Sequence, residues 1–363
     1  MLKHKKIQKT AESKKNSKKR FLLPFIIILC LGVALSCEKD FSANADNEPF
    51  PIVYGLLDVA DSVHYIKVFK SYLVEGNAYD VVKDVHKYSY LDSIDVYLEE
   101  YNAKGNFLRK IEFEMTTSIP KDSGLFGFPT QILYKSNAIL GNDSLYKLVV
   151  YNKYTKTQVE TKEPVALAYK PNIREPATQV NIGIPEKGKE FRFFTGRNAT
   201  RYFLQIKYYY TEDYTDGTSH QPEPIIWELG EIADNSATAA QEKTLLVGAG
   251  SDFFRRLQSE IKPNDRVRIR HTDSLIYEIY SAAKDFDLYM RSGIPSSGIN
   301  QEQLYYSNLK CYNTETGEEQ YVVGFFSSRT KAVKWYRDLL WPGTRDSLFY
   351  GRLTGHLKFS DNY

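Results

Sequence analysis

Apolar residues recur at every second position along much of this chain, and that alternation constrains the fold more than any other feature. Ile94, Val96 and Leu98 alternate with Asp95, Tyr97 and Glu99, and Ile111, Phe113 and Met115 alternate with Lys110, Glu112 and Glu114. His64, Ile66 and Val68 alternate in the same way with Tyr65, Lys67 and Phe69. Successive side chains of a strand point to opposite faces, so a period of two marks a sheet with one face buried. Asn102-Ala103-Lys104-Gly105-Asn106 reads as the loop of a hairpin, and Lys153 to Lys156 links Leu145–Tyr151 to Thr157–Glu163 in the same manner. The 28 tyrosines fit such a reading, because aromatic side chains pack well on a pleated surface.

Many short alternating segments separated by turn residues predict a mainly β chain. An immunoglobulin- or fibronectin-like β-sandwich is expected over residues 50–169. A second β-rich region with one or two short helices is expected over 170–363, after the break marked by Pro171 and Pro176. Strands are expected there near Phe191–Phe194, Tyr202–Tyr210, Val267–Tyr280, Leu304–Tyr312, Gln320–Phe326 and Ala332–Tyr336. Phe253, Phe254, Leu257 and Ile261 instead stand at helical spacing, with Ser251 or Asp252 as the expected N-cap. Lys284 to Arg291 reads as a second short helix that stops at Gly293.

The first forty residues carry a different signal. Residues 1–20 hold nine basic side chains against the single acid Glu12, and Phe21 to Ser36 holds no charge. A basic head and an apolar run of this length are the secretory pattern, and 16 residues are short for a helix that must span a bilayer. The run ends in Ala34-Leu35-Ser36-Cys37, with small residues before a cysteine, as lipoprotein processing requires. Residues 1–36 are therefore expected to be a cleaved lipoprotein signal peptide, Cys37 the lipidated residue, and 37–49 a flexible tether. Several acyl chains on one cysteine make attachment stable. Glu38 after the cysteine leans toward the outer membrane, on its periplasmic or cell-surface side.

Removing residues 1–36 takes away 9 of the 48 basic residues and 1 of the 45 acidic ones, so the net charge moves from +3 to −5. A mildly acidic chain lacks the basic surface that nucleic acid demands. Of the three cysteines, Cys30 leaves with the signal and Cys37 takes lipid. Cys311 then has no disulfide partner and is expected to be buried as a small apolar residue.

Pro51-Ile52-Val53-Tyr54-Gly55-Leu56-Leu57-Asp58, then His64-Tyr65-Ile66-Lys67-Val68 and Gly76-Asn77-Ala78, form one set of segments. Tyr306-Ser307-Asn308 ahead of Val323-Gly324-Phe325-Phe326 forms another. With the lipobox, they resemble a family of uncharacterised Bacteroidota-type outer-membrane lipoproteins. Members are often encoded near TonB-dependent receptors, so the resemblance implies a role beside nutrient uptake. It implies no catalytic residues.

The motifs of common chemistries are missing from the sequence. His64, His86, His220, His271 and His356 show no metal-ligand spacing, and there is no Gly-x-Ser-x-Gly elbow, phosphate-binding loop or calcium loop. No metal or cofactor is expected. Glu99-Glu100, Glu112/Glu114 and Glu318-Glu319 could each supply half of a glycosidase pair, but their alternation fits the wet face of a sheet better. Aromatics give the positive hint. Tyr208, Tyr210, Tyr214 and Trp227 surround the polar stretch Asp216–Pro222, and Trp335, Tyr336 and Trp341 cluster near the end. Exposed Tyr and Trp stack on sugar rings or anchor partners. The sequence thus predicts a non-enzymatic binding or accessory lipoprotein, held on the membrane by lipid, for which a TonB-dependent receptor or a glycan or peptide ligand is the expected partner. A surface adhesion protein and a glycan-active enzyme are the alternatives.

Overall fold

The structure is a computed structural model that describes residues 49–72, 82–124, 127, 129–141, 143–174, 180–182, 188–293, 306–337 and 342–360. The expected signal peptide and Cys37 lie outside the described residues, as does all of the expected tether except Pro49.

The first part of the chain runs through β1 (Pro51–Leu57), β2 (His64–Lys70), the single turn α1 (Val85–Tyr88), β3 (Ile94–Tyr101) and β4 (Phe107–Thr116). It continues through β5 (Leu133–Ser136), β6 (Leu145–Asn152), β7 (Thr157–Thr161) and β8 (Val165–Ala166). The second part holds β9 (Asn172–Ile173), β10 (Gly188–Phe194), β11 (Ala199–Tyr214), β12 (Ser219–His220), β13 (Ile225–Ala233), β14 (Glu242–Ala249) and α2 (Ser251–Glu260). After α2 come β15 (Val267–Ala283), α3 (Lys284–Ser292), β16 (Leu309–Asn313), β17 (Glu319–Gln320), β18 (Val323–Arg337) and α4 (Pro342–Tyr350).

The chain is mainly β, and most of its described strands join one mixed sheet of 15 strands in the order β12-β11-β15-β18-β1-β2-β5-β4-β3-β6-β7-β16-β17. Within it β13 pairs with β11, and β8 with β6. Strands β14, β10 and β9 form a second, three-stranded sheet. Among the described strands the pairings are antiparallel apart from β1 on β18. The two halves of the large sheet meet on β18, which changes partner midway. Val323 to Ser328 pair with β1, and Arg329 to Arg337 pair with β15. Gly324 makes the parallel contact possible. Its φ is +115°, and a Cβ placed there would stand 1.8 Å from the Val53 carbonyl oxygen; glycine alone tolerates both.

Two hydrophobic cores fill the unit that spans Pro49–Tyr363. One gathers Val53, Ile66, Val96, Leu98, Phe113, Leu148 and Val159; the other gathers Phe191, Tyr202, Ile206, Tyr208, Phe253, Leu257 and Tyr277. Alternation sets the second: in β11 the even-numbered residues from Tyr202 to Tyr210 are buried, while the odd-numbered ones are only partly covered. The three-stranded sheet and α2 supply Phe191, Phe193, Phe253 and Phe254 as the opposing layer.

Residues 309–326, expected in the second region, instead help complete the first core through Leu309, Cys311 and Phe326. The cause is pairing: β16 adds to β7 along Leu309 to Asn313. Asn308 then ties this end of the sheet back to β18. Its side-chain amide donates to the Phe326 carbonyl oxygen at 2.8 Å and its Oδ1 accepts the Phe326 N–H at 3.0 Å, as a backbone neighbour would. Helix α2 matches its expected span, but Gly250 takes the N-cap position and no side chain caps it, so neither Ser251 nor Asp252 has that role. Three helices are described in the second region, where one or two were expected. The extra one is α4, which opens on Pro342.

Candidate ligand-binding face

The four residues singled out from sequence do not form an open site. Tyr208, Tyr210 and Trp227 are buried, and they spend their rings on the core. Tyr208 packs on Phe253 with ring centroids 5.5 Å apart, Trp227 on the same Phe253 at 5.6 Å, and Tyr210 on Phe359 at 5.8 Å. The Tyr208 hydroxyl is satisfied by Thr272 at 2.9 Å. Tyr214 is half-buried and supports a buried ion pair. It donates to Glu212 Oε2 at 3.0 Å, while Glu212 Oε1 receives Arg270 Nε and Nη2 at 2.9 and 2.7 Å. Arg270 Nη1 donates to the Leu357 carbonyl at 2.6 Å, which fastens the end of the chain to the sheet.

What faces outward is the opposite side of the same strands. The register lays out three rows across β13, β11, β15 and β18. Ile226, Lys207, Ile276 and Trp335 form the first, and Glu228, Gln205, Glu278 and Val333 the second. Glu231, Phe203, Tyr280 and Lys331 form the third. Trp335 is 61% exposed, a large apolar ring in open solvent on a central strand. Ile226, at the far end of its row, is also exposed.

Glu278 holds this face rigid. Its carboxylate accepts Gln205 Nε2 at 2.6 Å, Tyr280 OH at 2.9 Å, Lys207 Nζ at 3.1 Å and Lys331 Nζ at 3.2 Å. Burial by itself pushes the Glu278 carboxyl up. The four donors outweigh it and hold the group below the usual carboxylate range, ionised at neutral pH. A network of the same residue types stands on the other half of the sheet. Glu160 is held there by Lys147 and Lys310, both at 2.9 Å, and by Gln158 at 2.7 Å, while Gln158 also meets the Tyr312 hydroxyl at 3.0 Å. These carboxylates are committed to ion pairs, and a general acid instead needs a raised pKa.

The carboxylates considered for glycoside chemistry are spread over the sheet. Glu100 is buried with Arg109 at 2.5 Å and Tyr146 at 3.0 Å, whereas Glu112, Glu114, Glu318 and Glu319 are exposed. Ser219, Asp213 and His271 do come together at the end of β11, in an order that differs from a hydrolase triad. Asp213 stands between the other two, taking Ser219 Oγ at 2.6 Å and His271 Nε2 at 3.0 Å. A nucleophilic serine needs the histidine between itself and the acid. Cys311 is buried as expected, and burial pushes its thiol up to about 11. The outer face, with Trp335 exposed and its neighbours tied to Glu278, offers a pre-ordered surface on which a ring or an apolar side chain could stack.

No family model matches the chain, and no curated protein matches it. Among solved structures, the C-terminal globular domain of an oligosaccharyltransferase from Pyrococcus abyssi is similar at 10% identity and a TM-score of 0.21, over 63% of this chain and 46% of that one. A trypsin-activated alpha-2-macroglobulin from Escherichia coli is similar at 9% identity and a TM-score of 0.14, over 66% of this chain and 14% of that one. This chain thus spans less than half the length of either, and neither likeness bears on what it binds.

Proposed function

We propose that this chain is a lipid-anchored outer-membrane protein that acts as a binding or accessory component of a TonB-dependent nutrient-uptake system. The basic head, apolar run and Cys37 support the location, and the resemblance in Pro51–Asp58 and Val323–Phe326 supports the uptake setting. The observation that carries the binding role is Trp335, 61% exposed on a sheet face whose neighbouring side chains are locked by Glu278. An aromatic anchor on a pre-ordered surface contributes affinity without the entropic cost of ordering it first.

Two measurements test the reading. Metabolic labelling with an alkyne fatty acid should tag the wild-type protein and leave Cys37→Ala untagged; equal tagging overturns the anchor. Affinity purification from solubilised outer membranes should recover a TonB-dependent receptor with the wild type and at least tenfold less with Trp335→Ala. Equal recovery removes Trp335 from the interface, and recovery of no receptor overturns the uptake role.

A further inference from the structure

Strand directions in the first half of the sheet decide which loops share an end. Pro49 leads into β1, whose first residue, Pro51, pairs with Lys70 at the end of β2. Followed through β5 and β4, the same end holds Thr116, the last residue of β4, opposite Leu133. It also holds the start of β3, where Ile94 pairs with Asn152 at the end of β6, and so the turn from β6 to β7.

Large apolar side chains stand open around this end. Tyr154, in the β6–β7 turn, is 74% exposed, and Tyr321, just past β17, is 60% exposed; Leu91, Met115 and Ile119 are exposed as well. Contacts place them along one rim. The Lys153 N–H donates to the Ser93 carbonyl at 3.0 Å, which sets the Tyr154 turn beside the loop that leads into β3. Leu91 in that loop turns its carbonyl oxygen to the Tyr134 hydroxyl at 3.5 Å, and Tyr134 is the cross-strand partner of Met115. Ile119 lies in the segment that follows β4. The Tyr321 ring packs edge-on against Phe50, next to Pro49, with centroids 4.8 Å apart. Lys153 is paired with Asp95 at 2.9 Å, so the turn offers an aromatic ring with its adjacent charge already matched.

From Cys37 to Pro49 the chain takes twelve steps, which reach at most about 40 Å when fully extended. With lipid on Cys37, Pro49 stays within that reach of the bilayer, and the rim beside Pro49 meets the lipid first. The opposite end of the same strands also exposes apolar residues, Phe107, Leu108 and Ile139. It lies a strand length further off, about 25 Å for the eight residues of β3. We propose that the rim of Leu91, Met115, Ile119, Tyr154 and Tyr321 is a lipid-contact surface, which seats this end of the sheet on the bilayer interface. The inference rests on the lipid-anchor reading of Cys37 and not on the uptake role. Tyrosine, apolar along its ring and polar at its tip, suits the headgroup level, while Leu, Ile and Met suit the acyl boundary below it. A few such side chains bind weakly alone, but a short tether raises their effective concentration at the membrane and makes weak seating populated.

The test uses the wild-type chain as cells make it, extracted from membranes and reconstituted into phosphatidylcholine vesicles that carry a diazirine on an acyl chain. After photolysis, peptides containing Tyr154 and Tyr321 should bear lipid adducts at least about fivefold above peptides containing Phe107 and Ile139. Adducts concentrated at Phe107 and Ile139 overturn the proposal. So does a bare rim, which would leave a protein as its cover. The mass of the Cys37 peptide in the same digest reads the anchor separately. Rim adducts with no acyl chain on Cys37 would end the anchor reading and keep the contact, whereas an acylated Cys37 with a bare rim would end the contact and keep the anchor. A double variant, Tyr154→Ser with Tyr321→Ser, separates seating from mere tethering, and both positions are exposed enough to leave the fold intact. Adducts at Leu91 and Ile119 should fall at least about threefold with unchanged far-UV circular dichroism, because seating scales with buried apolar area. Undiminished adducts there would mean that the tether alone brings lipid to the rim, and the proposal would fail.

Discussion

At the scale of single residues, His64 is the group through which acid should reach the fold. It opens β2, is buried, and uses Nε2 to meet the Ala138 carbonyl oxygen at 3.1 Å. Burial is the largest influence and lowers its pKa below 6.5; the Ala138 carbonyl, Asp61 and Asp58 pull the other way and do not overcome it. The folded state therefore favours the neutral ring. The stability this confers is complete above the unfolded pKa near 6.5 and is lost as pH falls through that value toward the lower, folded one. Thermal melts between pH 7.5 and 5 should show a steeper loss of Tm for the wild type than for His64→Gln, whose amide can still donate to Ala138. Parallel slopes would discard His64 as the source.

The residues of the binding face show what alternation does and does not reveal. Period two in Tyr202–Tyr210 was legible, and it correctly separates one set of tyrosines from the other. Which set faces inward is decided elsewhere, by the side on which β10 and α2 lay their aromatic rings. That information is not carried by the local sequence. Trp335 stood out as an aromatic near the chain end, but its exposure follows from the register of β18 on β15.

Among elements, Gly324 is the position on which the two halves of the sheet depend. A methyl group there collides with the Val53 carbonyl, and the positive φ adds strain. Gly324→Ala should cost more than about 3 kcal/mol, in the range of the most damaging substitutions. Limited proteolysis should then cut near Pro51–Leu57 before any other strand, because β1 loses its grip on β18. Wild-type stability in urea would show that the backbone yields there. Long alternating strands such as β3, β4 and β11 were legible because each has one wet face. Strand β5 has only four residues, and β13 carries Gly230 at a positive φ where its pairing with β11 shifts. Their patterns are too short or too broken to count. Helix α4 did leave a signal, since Pro342 suits a first helical turn, where its missing N–H costs nothing. The parallel union of β1 and β18 left none, being a contact between residues some 270 positions apart.

For the whole molecule, shared strands should make the two cores unfold together. Phe326 belongs to one core and Tyr336 to the other, yet both lie on β18. All three tryptophans fall in the second part of the chain, so their fluorescence reports on that part, while far-UV circular dichroism reports on every strand. The two midpoints in urea should coincide, as they do for a cooperative unit. A fragment of residues 50–169 lacks β16 and β18 and should remain unfolded by circular dichroism. Separate midpoints, or a folded fragment, would show two independent bodies.

The placement of β1 also fixes how the protein answers to force. Pro49 stands directly ahead of a strand hydrogen-bonded on both sides, to β2 and to β18. Because β1 runs parallel to β18, tension between Pro49 and the Trp335 end of β18 drags the two strands past each other along their length. Inter-strand hydrogen bonds lie across that direction and share the strain, so they must give way together and not one after another, as they would if an edge strand were peeled. A cargo held at Trp335 would pull on a joint built to resist sliding.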